Sequence, residues 1–150
     1  MTLSELLGLS LKSDPVLELI SEHGLTVILH ADHTHENLRD SYSVAAREMG
    51  FELGCDAEKI IRTVWCYLRA SDGFRPIDSE IIGIPLFDTM AALVAHGAEL
   101  GATLEMRENV EFLGEKSSWA KILFPSAHHH YEFDDEGLKR VTMMRPRASG

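Results

Sequence analysis

A chain of 150 residues, 45% apolar and 25% charged, is long enough to bury a substantial core in one domain, and this composition excludes general disorder. Fourteen basic against twenty-four acidic residues give a formal charge of -10, a field that disfavours nucleic acid and attracts a basic protein partner. No apolar run approaches the roughly 20 residues that span a bilayer, and the N-terminus lacks the basic region of a signal peptide.

The predicted elements begin at Thr2-Leu3-Ser4-Glu5, whose capping-box spacing opens a short helix. Ser13-Asp14-Pro15 then starts a second helix, and His23-Gly24 ends it. Leu25 to His30 is a short run rich in β-branched residues, the pattern of a buried strand. From His35 to Met49 the spacing of Leu38, Tyr42, Ala45 and Met49 predicts a helix, with Gly50 as its stop. Asp56 is placed to cap another helix to about Ser71, with Ile60, Ile61, Val64, Trp65 and Leu68 on one face. A strand within 75–84 and a helix over 86–100 follow.

After Gly101 the pattern changes to short segments at 103–106, 110–113, 119–124, 128–133 and 139–144, the grammar of an antiparallel meander. The expected architecture is therefore α+β in a single domain. A helical N-terminal two-thirds (1–101) packs on a C-terminal antiparallel β-meander (102–145), followed by a flexible tail (146–150). In the last hairpin, Asp135-Glu136-Gly137 suits a loop with glycine in the left-handed position. That register pairs Glu132 with Arg140 and puts His128, His130 and Glu132 on a polar face, with Tyr131, Phe133, Val141 and Met143 opposite.

Eight histidines supply the candidate site. His30, His33 and His35 stand at the junction of an expected strand and helix, with Asp32 and Glu36 among them, and three such ligands suit a divalent metal such as zinc. The segment lacks the helical HExxH zinc pattern. His33, His128, His130 and Glu132 are the candidate catalytic residues: one imidazole as acid or base, and Glu132 or Glu36 orienting an imidazole through its second nitrogen. This arrangement predicts a hydrolase or lyase acting on a small molecule, provided the early and late histidines meet across one cavity.

A second reading is a non-catalytic acidic interaction module of inhibitor, immunity or adaptor type. A third is a helix-turn-helix regulator around Ala46 to Gly50, which the charge balance opposes. Cys55 and Cys66 lack CxxC spacing and suit reduced thiols in a cytoplasmic protein. Cys66 reads as a small buried hydrophobe, while Cys55, beside an expected helix N-terminus, is the candidate for an activated thiol. Trp65, Tyr67, Trp119, Phe124 and Tyr131 are expected between helices and sheet, and Glu105, Glu108, Glu111 and Glu115 form an acidic stretch.

Overall fold

The computed structural model describes residues 1–31 and 40–146, apart from the side chain of Phe112. Eight antiparallel strands dominate it: β1 (Val27–His30), β2 (Ser41–Ala46), β3 (Phe51–Cys55), β4 (Ile61–Tyr67), β5 (Thr103–Phe112), β6 (Glu115–Leu123), β7 (His128–Asp134) and β8 (Gly137–Met144). They form one sheet in the order β1-β2-β3-β4-β8-β7-β6-β5. Its helices are α1 (Asp14–His23) and α2 (Met90–Leu100), with short 3-10 turns at Leu3–Leu6 and Ser79–Ile81.

The expected helical two-thirds is thus corrected: within the described residues, 41–67 contains three strands rather than two helices. The physical reason is visible in the side chains. In β2, Tyr42, Val44 and Ala46 face inward while Ser41, Ser43 and Ala45 alternate with them, a period of two that the wider helical spacing disguised. Ala46 and Phe51 close a hairpin, whose turn is secured by the N–H groups of Met49 and Gly50 donating to the Ala46 carbonyl.

Asp56 mimics a helix cap because its carboxylate does accept backbone N–H groups, from Glu58 and Ile60, each at 3.0 Å. It uses them to close the β3–β4 turn, with Lys59 at φ 65°, rather than to start a helix. The Ile61-Arg-Thr-Val-Trp-Cys-Tyr67 run that follows has the β-branched and aromatic content of a strand. With strands on both sides of Ala46 to Gly50, the helix-turn-helix is excluded there. The strand expected within 75–84 is instead an irregular segment anchored by buried Ile77 and Ile82, with one 3-10 turn.

Other segments follow their local chemistry. Helix α1 starts with proline in its first turn and ends at Gly24, which is left-handed at φ 61°. Thr89 accepts the Ala92 N–H as the cap of α2, whose first residue Met90 lies four residues later than the apolar pattern predicts. The 103–106 and 110–113 segments merge into one strand, β5, whose register shifts between Arg107 and Val110. In the last hairpin Gly137 takes φ 116°, and beyond an irregularity at Glu132/Phe133 the pair Glu132–Arg140 forms as expected.

One side of the sheet carries the core. A row of paired residues crosses it from Val44 through Leu53, Val64, Met143, His129 and Ile122 to Leu104. Leu3, Leu6, Val16, Ile82 and Leu93 join the same cluster, so the helices and both 3-10 turns cover this side. Tyr131 is fastened to the covering layer by its hydroxyl, which donates to the Pro85 carbonyl at 2.7 Å. On the opposite side the described residues place no helix; Phe74, itself buried, stacks on Tyr67 there at 4.4 Å, and the segment around Gly8 and Leu9 borders it.

The β1 strand departs from its expected burial. All four of its residues are exposed, at one edge of the sheet. No helix among the described residues is long and apolar enough to cross a membrane.

Candidate functional site

Alternation along each strand decides what the uncovered face presents. Val64 and Cys66 point into the core, which sends Thr63, Trp65 and Tyr67 to the other side. The same rule sends His128, His130 and Glu132 outward from β7, while Tyr131 and Phe133 are buried. A cross-strand row runs Glu52, Trp65, Thr142, His130, Lys121, and a neighbouring one Tyr67, Arg140, Glu132, Trp119. Both tryptophans of the chain therefore stand on the open face, each half-buried.

Each aromatic has a distinct support. Trp65 lies over Gly54 of the adjacent strand, where a Cβ would come within 2.8 Å of the indole. Trp119 stacks on His130 with centroids 5.2 Å apart and planes 28° from parallel. Thr142, on this same face, is 6% exposed between the Trp65 and His130 strands, the one buried polar residue among the described residues.

Glu132 is held by cations rather than by imidazole. Its Oε2 lies 2.8 Å from Arg140 Nη2, and its Oε1 lies 3.5 Å from Lys139 Nζ. Burial lowers the His130 pKa; Glu132 opposes that shift, while Lys121 and Arg140 reinforce it. The ring is therefore neutral near neutral pH. Burial also lowers the His129 pKa, aided by His128, and that ring packs on the core side against Phe124 at 5.0 Å.

Beside these rows the open face deepens into a groove of about 1900 Å³. Ile28, His30, Ser43, Glu52, Thr63 and Trp65 form its floor across β1 to β4. The N-terminal segment supplies one margin, since Gly8 and Leu9 bond to the backbone of Ile61. Charged groups around the groove are mostly engaged within the molecule. Arg62 Nε donates to Asp56 Oδ2 at 2.7 Å, Arg47 Nη1 to the Asp72 carbonyl at 2.9 Å, and Arg145 Nη1 to the Gly8 carbonyl at 3.4 Å.

The metal expectation is corrected. Among the described residues no three His, Cys, Asp or Glu side chains converge as ligands, and no histidine cluster forms. The reason is geometric. Consecutive strand residues face opposite ways, so His129 is turned away from His128 and His130. His30 accepts or donates a 2.8 Å hydrogen bond with Ser43 Oγ on β2. Four strands separate it from β7, an interval of roughly 24 Å along a flat sheet at about 4.8 Å per strand. His33 and His35, with Asp32 and Glu36, lie outside the described residues.

The remaining sequence candidates divide clearly. His128, His130 and Glu132 share the open face as predicted, but Glu132 is committed to Arg140 and Lys139. Cys55 belongs to β3, not to a helix terminus, and its thiol is pushed up to about 11 by burial and by Asp56. Burial pushes Cys66 up to about 12. Both are reduced and buried, with no activation.

Trp65 and Trp119 were expected between helices and sheet, and their placement, half-buried, on the opposite side is the main feature that sequence reasoning missed. The available signal was their position between buried residues of strand period. No protein-family model matches the chain, and comparisons with curated proteins and with solved structures find no match.

Proposed function

We propose that this chain is an acidic protein-interaction module, of inhibitor, immunity or adaptor type, which binds a basic protein over the open face of its sheet. The observation that carries this reading is the placement of both tryptophans, His128 and His130, each half-buried, on the sheet face that no helix covers among the described residues. Aromatic side chains offer large contact area at little entropic cost and are enriched where interfaces are desolvated. The charge of -10 steers a cationic partner toward the surface and supplies rate and specificity.

On this reading His128, His130 and Glu132 are contact residues. The Glu132–Arg140 pair offers a carboxylate and a guanidinium that a partner can engage without rearranging the strand. A cytoplasmic location accords with two reduced, buried thiols.

The test is affinity purification of the untagged-face protein at low and high salt, with the retained proteins identified and then reconstituted in pure form. A basic partner should bind at low salt and dissociate as salt rises to about 0.5 M. Replacing both tryptophans, Trp65→Ala with Trp119→Ala, should weaken that binding at least roughly tenfold. Undiminished affinity in the double variant, with its fold intact by circular dichroism, contradicts the reading.

A further inference from the structure

The two edges of the sheet are built differently. At one end β5 carries Glu105, Arg107, Glu108 and Glu111, and it is broken by a register shift at which Asn109 adopts φ 54°. Charges and bulges of this kind are how a sheet edge is protected against pairing with another chain. At the other end β1 has the sequence Val-Ile-Leu-His, without a formal charge and without an irregularity in its pairing with β2.

Among the described residues, no strand pairs with the outer side of β1. Its side chains are exposed on both faces: Val27 40%, Ile28 47% and Leu29 51%. A run with the composition of a buried central strand thus occupies an uncovered edge.

We propose that β1 is a docking edge which accepts an extended segment of a basic partner protein as a ninth strand. Backbone groups directed away from β2 supply the hydrogen bonds of such an addition, and alternate side chains supply its selectivity. The inference rests on the interaction-module reading and names how the partner engages. One set of side chains of the added strand would lie beside Val27 and Leu29, and apolar residues suit it. The other set would lie on the groove side, beside Ile28 and His30, both of which line the groove.

Charge decides what that second set carries. Glu52 lines the groove, while its arginines already bond to groups of this chain, Arg62 to Asp56, Arg47 to the Asp72 carbonyl and Arg145 to the Gly8 carbonyl, in a molecule of charge -10. Lysine or arginine at alternate positions is therefore favoured over glutamate. A second copy is the poorer occupant, because each copy brings a charge of -10 and the apolar contact offered by a four-residue strand is small. Stable interfaces bury about 800 Å² per partner, several times what three half-exposed aliphatic side chains provide.

The probe is a blocked nine-residue peptide of alternating valine and lysine, with the valine–glutamate peptide as control, added to the full chain. Amide exchange should slow about tenfold at alternate positions within Val27–His30 with the lysine peptide and stay unchanged with the glutamate peptide. Leu29→Lys should weaken peptide binding about tenfold, whereas Met106→Lys on the opposite edge should leave it unaltered. Protection confined to β5 or to the tryptophan face, or no slowing within β1, overturns the proposal. So does concentration-dependent protection of β1 in protein alone, which would make a second copy the occupant.

These results separate the two readings. An unresponsive β1 together with salt-sensitive, tryptophan-dependent partner binding rejects the docking edge and leaves the module standing. A protected β1 with partner binding indifferent to Trp65 and Trp119 does the reverse.

Discussion

Trp65 stands on the open face because Gly54 leaves it room: the indole occupies the space where any other residue of β3 would place a Cβ, 2.8 Å from the ring. Gly54→Val should therefore displace the ring and cost roughly 1–3 kcal/mol, read as a lower urea midpoint together with a change in tryptophan emission. The histidines of β7 set a pH dependence. Burial holds His129 and His130 below the ordinary imidazole value of 6.5 in the folded chain. As pH falls, the unfolded chain takes up these protons first, so the unfolded state is favoured. Stability is fully present above the unfolded value, declines as pH drops through 6.5 toward the folded values, and rises again with pH in that window. Urea titrations at about pH 7.5 and about pH 5 should show a lower midpoint in acid, and His129→Leu should reduce the difference. Identical slopes of stability against pH in wild type and variant would refute this assignment.

The β3–β4 turn shows how one residue can indicate the wrong element. Burial alone would raise the Asp56 carboxyl pKa, yet the N–H groups of Ile60 and Glu58 and the Arg62 guanidinium outweigh it and hold the carboxyl below its usual range. Asp56→Ala removes all three partners and should cost roughly 1–3 kcal/mol by equilibrium unfolding, with Asp56→Asn milder because it retains an acceptor for the turn. Equal stability of Asp56→Ala and wild type would show that the turn is held by other contacts. In sequence, the same acceptor before an apolar run is indistinguishable from a helix cap, which is why β4 resembled a helix. Helix α1 was legible because proline and glycine marked its ends, and α2 ended at Gly101 as read, but its start at Thr89 was missed because the apolar pattern already ran from Leu86. The β7–β8 pairing of Glu132 with Arg140 was legible because the apolar residues alternated cleanly, but the expected Asp135-Glu136-Gly137 loop is one residue shorter, since Gly137 pairs with Asp134 and the irregularity at Glu132/Phe133 restores the register. For β2 that alternation was written in serine and alanine, residues with little hydrophobic contrast, and a helical stripe fitted as well. The exposure of β1 could not be read locally, since edge position is a property of the sheet order.

At the scale of the molecule, one sheet face covered by helices and one that carries no helix among the described residues explain the distribution of the candidate site. The early and late histidine segments were expected to meet around a cavity; His30 does not, because the sheet order inserts four strands between β1 and β7, while His33 and His35 lie outside the described residues. What the order does bring together, across β3, β4, β8, β7 and β6, is a surface of aromatic, imidazole and paired charged groups. That face, in a molecule of charge -10, is the basis of the interaction-module reading. The direct measurement is tryptophan emission, with iodide accessibility, as a purified basic partner is titrated into the protein, because both tryptophans lie on the proposed interface. Emission moving to shorter wavelength and loss of iodide quenching at saturation are the predicted result. Saturable binding with emission and quenching unchanged would contradict the account.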